Sequence, residues 1–264
     1  MKEKLELMIK LARQAGNQIM KIYSKENIIK YVKEDNSPLT EADKRSNSVI
    51  IRGLLKKYPK IPVMSEENEH KINFEKCEKI WILDPLDGTK EFIKKNGEFS
   101  VNIAYVENKR PVIGVIFFPV LNELYYAIRN KGSFCFNGSK INNIQVSKKD
   151  ITEDMVLTRS RSHASEKLLK FIEIFKIQKV LVKGSSLKGC LIAKGTADVY
   201  IRFGNVHEWD ICAMDIIIKE AGGKITNFKD EEIKYNNKDT IINGFMVSNT
   251  LLHEKILQKV KNID

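Results

Sequence analysis

The sequence predicts a layered protein with an α+β first part, residues 1–145, followed by an α/β second part, residues 146–264. Three observations predict this. Residues 2–23 carry Leu5, Met8, Ile9, Ala12, Ala15, Ile19 and Ile22 at the spacing of one buried helical face. Residues 99–107, 111–119 and 123–129 are rich in β-branched and aromatic side chains and are joined by turn-like segments at 108–110 and 120–122, as in an antiparallel meander. From Met155 onward, short apolar runs alternate with helix-like segments.

The elements follow in order. After the opening helix, residues 25–36 are polar apart from Ile28, Ile29 and Val32 and hold a short strand or loop. Ser37-Pro38-Leu39-Thr40-Glu41-Ala42-Asp43 opens a second helix with Val49, Ile50 and Leu54 on its inner face. Thr40 and Asp43 stand at capping-box spacing, so Asp43 also reads as a helix-start carboxylate with no other role. Gly53 and Lys56-Lys57-Tyr58-Pro59 are expected to end this helix. Residues 61–64 read as a strand that delivers Ser65-Glu66-Glu67, and residues 71–79 as a polar loop. Lys131-Gly132 and Asn137-Gly138 mark turns beyond the meander. In the second part, residues 155–158, 180–182, 197–201 and 245–248 read as strands. Residues 165–175, 186–193, 208–221 and 250–260 read as helices, the third stopped by Gly222-Gly223.

Composition narrows the class. Hydrophobic residues at 42% supply a core, and charged residues at 30% a solvated surface. No apolar run approaches the roughly 20 residues that span a bilayer, and residues 1–9 do not have the make-up of a secretory signal. The expected location is the cytoplasm. Cys77, Cys135, Cys190 and Cys212 form no CxxC pair and read as reduced thiols rather than a disulfide frame or a zinc site. The net charge of +11 comes from Lys residues spread along the chain, with no Arg-rich block. That pattern fits solvated charge first and attraction of a small polyanion second, ahead of nucleic-acid binding.

The chemistry concentrates at Trp81-Ile82-Leu83-Asp84-Pro85-Leu86-Asp87-Gly88-Thr89. An apolar strand that stops at two carboxylates holds hard oxygen ligands at one point, which suits magnesium. A helical turn begun at Gly88-Thr89-Lys90 would face an anion with its free N–H groups. The same residues also read as a strand followed by Asp-Pro and Asp-Gly turns. Three further segments read two ways. Trp209-Asp210 is a dipole-favoured helix start or a ligand from the second part. Ser160-Arg161-Ser162-His163 and Gly184-Ser185-Ser186-Leu187-Lys188 are caps or anion sites. No G-x-S-x-G, Walker or dinucleotide loop is present. His70, His163, His207 and His253 are isolated, so the candidate ligands are oxygens, which points to magnesium rather than zinc.

Together these residues carry a family likeness. Asp84-Pro85-Leu86-Asp87-Gly88-Thr89 resembles the first signature of the inositol monophosphatase superfamily, and Trp209-Asp210 with Glu220-Ala221-Gly222-Gly223 resembles the second. Ser65-Glu66-Glu67 and Thr40-Glu41-Ala42-Asp43 match its two shorter upstream elements in order. Residues 89–104, Ser160-Arg161-Ser162-His163, the Gly184–Lys188 segment and Arg202-Phe203-Gly204 are most similar to the bacterial CysQ branch, the 3′(2′),5′-bisphosphate nucleotidases. Two departures stand out: Ile211 where the family usually has Thr, and Gly189 where it often has an aromatic.

The resemblance implies an inositol monophosphatase-like fold, with an antiparallel-sheet domain, an α/β domain and the site between them. It implies a Mg²⁺-dependent enzyme that removes the 3′ phosphate of adenosine 3′,5′-bisphosphate to give AMP, with its sulfated relative as a further substrate, in sulfur assimilation. Two or three Mg²⁺ ions are implied. Glu66, Asp84 and the Leu86 carbonyl would hold one and Asp84, Asp87 and Asp210 another. Glu66 and Thr89 would orient the attacking water, with Asp43 behind Thr89. Asp87, Gly88, Thr89, Ser185 and Asp210 would contact the substrate, Lys188 and Arg202 its 5′ phosphate, and His163 the nucleoside. The alternatives are an inositol monophosphatase of broad sugar-phosphate range and a basic nucleic-acid-binding protein. The oligomeric state stays open between monomer and homodimer, and peripheral attachment to the inner membrane stays open too.

Overall fold

The computed structural model describes residues 1–26, 30–32, 38–68, 74–161, 165–260 and 263. The apolar stripe of the first segment forms α1 (Lys2–Tyr23), which buries Met8, Leu11, Ala12, Ala15, Ile19 and Ile22. Strands β1 (Lys30–Val32) and β2 (Pro38–Thr40) pair antiparallel and lead into α2 (Glu41–Lys57). The capping box at Thr40 and Asp43 is present. Gly53 does not end α2 but lies inside it. A Cβ there would stand 2.2 Å from Leu11 Cδ2, so this glycine sets how closely α1 and α2 approach.

A seven-stranded sheet follows in chain order: β3 (Val63–Ser65), β4 (Lys79–Asp87), β5 (Ser100–Glu107), β6 (Arg110–Phe118), β7 (Glu123–Ile128), β8 (Ser133–Phe136) and β9 (Ile141–Ile144). The short α3 (Thr89–Ile93) sits between β4 and β5. Every pair is antiparallel except β3 with β4. Asn108 and Lys109 both have positive φ, 50° and 62°, as a tight turn compatible with strand twist requires. Strands β8 and β9 extend the meander beyond the three expected runs. Ile141-Asn142-Asn143-Ile144 has weak strand propensity, and pairing with β8 supplies what propensity does not.

The second part contains β10 (Val156–Arg159), α4 (Glu166–Ile174), β11 (Lys179–Val182), α5 (Leu187–Ala193), β12 (Val199–His207), α6 (Glu208–Glu220), β13 (Gly223–Thr226), β14 (Ile241–Asn249) and α7 (Thr250–Val260). Its sheet order is β11-β10-β12-β14-β13. Strand–helix alternation there does not give an all-parallel sheet: β10 runs parallel to β11 and β12, while β14 is antiparallel to β12 and β13. Strand β13 begins at Gly223, where the sequence marked only a helix stop.

The layers run helix, sheet, helix, sheet, helix. Helices α1 and α2 cover one face of the large sheet over Trp81, Leu83, Ile103 and Val115. Helices α5 and α6 fill the space between the two sheets, and one apolar cluster runs from Ile82 and Ile116 through Ile216 and Ile217 to Val247. Helices α4 and α7 cover the outer face of the second sheet. Among the described residues, no helix is long and apolar enough to cross a membrane.

The outer layer holds a buried histidine with a testable consequence. His253 is 1% exposed and sits between Thr226 Oγ1 at 2.9 Å and Ser248 Oγ at 2.7 Å. Burial, helped by Lys224 and opposed by Asp230, pushes its pKa down to about 4. The folded state therefore resists a proton that the unfolded chain accepts below about 6.5. Stability from this group is present above that value and is lost as pH falls toward 4, by roughly 3 kcal/mol. In urea unfolding, the stability gap between the wild type and His253→Asn is expected to narrow by about that amount from pH 7 to pH 4. A gap of constant size would show that His253 does not titrate this way.

Candidate active site

Apolar residues Ile80 to Leu83 bury β4 on both faces, and the strand carries Asp84 and Asp87 to its end. Asp84 is 2% exposed and accepts from Leu86 N at 3.0 Å. Ser46 Oγ, from α2, donates to Pro85 O at 2.6 Å and anchors this end. Parallel pairing sets Ser65 beside Leu83, and Glu66 N donates to Leu83 O at 3.2 Å. Glu66 and Asp84 thus leave adjacent strands at the same edge. Gly88 follows with φ +92°, and a Cβ there would meet Glu98 O at 3.1 Å and Ser185 Cβ at 3.2 Å. Only glycine fits that conformation comfortably.

Asp43 meets both of its sequence readings, with one oxygen for each. Oδ2 accepts from Thr40 N at 2.7 Å and Thr40 Oγ1 at 2.6 Å, closing the helix cap. Oδ1 lies 3.2 Å from Thr89 Oγ1, whose other neighbour is Leu86 O at 3.3 Å. The Thr89 hydroxyl is therefore oriented by two acceptors and points its lone pairs elsewhere. Asp43 is 1% exposed, and burial raises its pKa against the Thr40 bonds.

The second part closes over this edge. Asp87 Oδ2 accepts from Ser186 N at 2.6 Å, Ser186 Oγ at 2.7 Å, Asn102 Nδ2 at 3.3 Å and Ser100 Oγ at 3.4 Å. All four bonds end on that one oxygen, and Oδ1 takes none of them. Ser186 precedes α5 but does not cap it with its side chain; its hydroxyl ties the two parts together instead. Asp210 lies in the first turn of α6 and accepts from His207 N at 2.8 Å. Glu66, Asp87 and Asp210 line one cleft, and buried Asp84 feels the charges of all three.

The electrostatics of this cluster are unfavourable without a counter-charge. Burial drives the Asp84 pKa far above the ordinary carboxylate range, and the charges of Glu66, Asp87 and Asp210 and a hydrogen bond with Glu66 push it the same way. Burial, then Asp87 and Glu66, raise Asp210 to about 8, against the His207 N–H and Arg202. Such a group is neutralised by protons or by cations. Its donors are hard oxygens with no imidazole or thiolate, the chemistry of magnesium. Among the described residues, no three His, Cys, Asp or Glu side chains stand close enough to hold a metal ion by themselves. A magnesium ion suits such an open set, because it takes one or two carboxylates and keeps several waters. The donor set fits a divalent metal.

The same cleft continues away from the acids to Ser185, Lys188, Tyr200 and Arg202. Lys188 is 6% exposed, donates to Ser185 O and lies 5.2 Å from the centre of the Tyr200 ring. Burial lowers its pKa, while Asp87, Glu91 and Asp210 oppose that change. Ser185 has a positive φ of 44°. Its Oγ and Arg202 Nε are buried without a hydrogen-bond partner among the described residues. His163 lies outside the described residues. Ile211 packs into the central core and also lines the cleft. At Gly189 a Cβ would stand 1.8 Å from Met214 Sδ, so a methionine from α6 occupies the space facing residue 189.

The chain matches the inositol monophosphatase family over residues 1–264. It belongs to that family. A 3′(2′),5′-bisphosphate nucleotidase CysQ of Buchnera aphidicola is 42% identical over 254 residues, covering 92% of this chain and 93% of that protein. Among solved structures, CysQ from Bacteroides thetaiotaomicron is 35% identical with a TM-score of 0.81, covering 94% of this chain and 97% of that one. An inositol monophosphatase of Thermotoga maritima is 30% identical with a TM-score of 0.83, covering 99% and 98%.

Several residues of this inositol monophosphatase-family site escaped sequence reasoning. Asn102 interrupts the apolar run of β5, a signal that was available; it lies opposite Asp84 and bonds Ser186 Oγ at 2.9 Å. Glu98 joins Arg161 Nη2 and Lys183 Nζ at 3.0 Å each and Gly184 N at 2.8 Å. It fixes the 183–184 turn against the start of β5, and nothing local marks it as doing so.

Proposed function

We propose that this chain is a Mg²⁺-dependent 3′(2′),5′-bisphosphate nucleotidase that converts adenosine 3′,5′-bisphosphate to AMP and phosphate in the cytoplasm, with the sulfated nucleotide as a further substrate in sulfur assimilation. One observation carries the reading. A single cleft has Glu66, Asp87 and Asp210 at one end, with buried Asp84 beside them, and at the other Lys188, Arg202 and Ser185, where Arg202 Nε and Ser185 Oγ have no hydrogen-bond partner among the described residues. A ligand with two phosphates matches both ends.

In this reading residues 1–145 form a domain with most of the metal ligands, and residues 146–264 form one that closes the site. Glu66, Asp84 and the Leu86 carbonyl would hold one ion and Asp84, Asp87 and Asp210 a second, of two or three in all. Bound ions offset the charge of a phosphate dianion and acidify a water molecule. Glu66 and Thr89 orient that water toward phosphorus. Thr89 does so with a hydroxyl whose direction is set by Asp43 and the Leu86 carbonyl. Gly88 and Thr89 offer backbone N–H groups to the phosphate oxygens. As the P–O bond to the ribose breaks, one water oxygen joins phosphorus and the ribose oxygen leaves with a proton. Lys188 and Arg202 hold the 5′ phosphate, and Ser185 lies beside them. Positioning and charge stabilisation dominate such a reaction.

The test is phosphate release with Mg²⁺ from adenosine 3′,5′-bisphosphate, AMP and inositol 1-phosphate in parallel. The expected result is a strong preference for the bisphosphate. Equal or faster release from inositol 1-phosphate would keep the metal end and transfer the chain to the inositol monophosphatase alternative. No release from any of the three, with salt-sensitive binding to long nucleic acid, would replace both with a binding protein.

A further inference from the structure

Glu66, Asp87, Glu91 and Asp210 line the cleft, and the metal reading uses all of these but Glu91. Glu91 lies on α3 and is only 6% exposed. A buried carboxylate is costly unless something meets it. None of the hydrogen bonds among the described residues ends on its side chain. Its charge is felt at Lys188 across the cleft. Its position depends on a glycine: a Cβ on Gly184 would lie 2.5 Å from Glu91 Cγ. The next residue, Ser185, presents a buried hydroxyl without a partner, and its Cβ is 3.2 Å from where a Gly88 Cβ would lie. Glu91 and Ser185 therefore both line the cleft where the Gly88-Thr89 segment meets the 184–186 turn.

A carboxylate accepts and cannot donate, so Glu91 calls for a ligand hydroxyl or amine close to the phosphate held at Gly88 and Thr89. Resting on the nucleotidase reading, we propose that Glu91 accepts a hydrogen bond from the hydroxyl vicinal to the scissile phosphate, with Ser185 donating to the same oxygen. On a 3′ phosphate this is the ribose 2′-hydroxyl, and on a 2′ phosphate it is the 3′-hydroxyl. One acceptor serves both, because the two positions exchange roles across the same cis-diol. Glu91 then makes the enzyme selective for ribonucleotides over 2′-deoxyribonucleotides.

The experiment compares kcat/KM for adenosine 3′,5′-bisphosphate and its 2′-deoxy analogue in the wild type, Glu91→Gln and Glu91→Ala, each checked for folding by its melting temperature. A charge-assisted bond leads us to expect a ribo/deoxy ratio of roughly 10 to 100 in the wild type. It should fall to about 1–3 in Glu91→Ala and to an intermediate value in Glu91→Gln, whose amide oxygen still accepts. If Glu91 served only as a counter-charge to Lys188, Glu91→Gln would slow both substrates alike and leave the ratio as in the wild type, which overturns the proposal. A wild type that ignores the nucleotide overturns the nucleotidase reading separately. The same three proteins are then compared on glycerol 2-phosphate and isopropyl phosphate, which differ in vicinal hydroxyls. A ratio that is lost in Glu91→Ala supports the role of Glu91 on another substrate. An unchanged ratio, or no release from either compound, ends it.

Discussion

Asp84→Asn is expected to release phosphate at least roughly 10³-fold more slowly than the wild type, about 4 kcal/mol of transition-state stabilisation. The fold should not suffer. The Asn amide oxygen can still accept from Leu86 N, as Asp84 Oδ1 does at 3.0 Å. The substitution replaces a carboxyl whose ionisation is opposed first by burial and then by the charges of Glu66, Asp87 and Asp210, so the neutral amide carries no added cost. In metal-free buffer the variant should therefore unfold at the same urea concentration as the wild type or a higher one. Added Mg²⁺ should raise the melting temperature of the wild type by binding the folded state, and that shift should shrink in the variant. Near-normal turnover, or an undiminished Mg²⁺ shift, would remove Asp84 from the metal assignment. The opposed directions of the two effects separate a ligand from a structural carboxylate.

Gly114→Val is expected to cost about 3 kcal/mol of stability, from overpacking, and to slow turnover roughly 100-fold although it lies outside the cleft. Gly114 sits in β6 beneath α6. A Cβ there would stand 2.4 Å from Ala213 O and 2.5 Å from Ile216 Cγ2. A backbone carbonyl of a packed helix cannot turn aside as a flexible side-chain end can. Helix α6 must lift from the large sheet, and Asp210 in its first turn moves with it. The control is Leu252→Ala in α7, a fully buried residue on the far side of the second sheet. It should cost about as much stability, through cavity formation, with little change in kcat. Equal losses of activity in the two variants would mean that global stability, not the seating of α6, sets the rate.

Much of the fold was legible because it is written locally. The stripe of α1, the Thr40–Asp43 cap and the meander each follow from residues within one or two turns of one another. The candidate acids were legible for a related reason. Asp84 and Asp87 end an apolar strand, and polar groups at such an end are rarely placed there for packing. What was missed had weak local signals. Strands β8, β9 and β13 form because a neighbouring edge is waiting for them. Gly53 looked like a helix terminator, yet its role is set by Leu11, which lies on another helix.

Residue types and their short spacings determined the element list, the oxygen-only character of the candidate metal site and the family likeness. Tertiary structure alone decided that Ser186 bonds Asp87 from 99 positions away, and that Glu98 reaches Gly184 from 86 away. It alone brought Glu91 against Gly184 and seated α6 on Gly114. The physical reason is range. Helix periodicity, strand alternation and capping act between near neighbours, so their marks persist in the sequence. A hydrogen bond or a close approach between distant segments depends on how two sheets and their helices stack, and no local pattern records the partner.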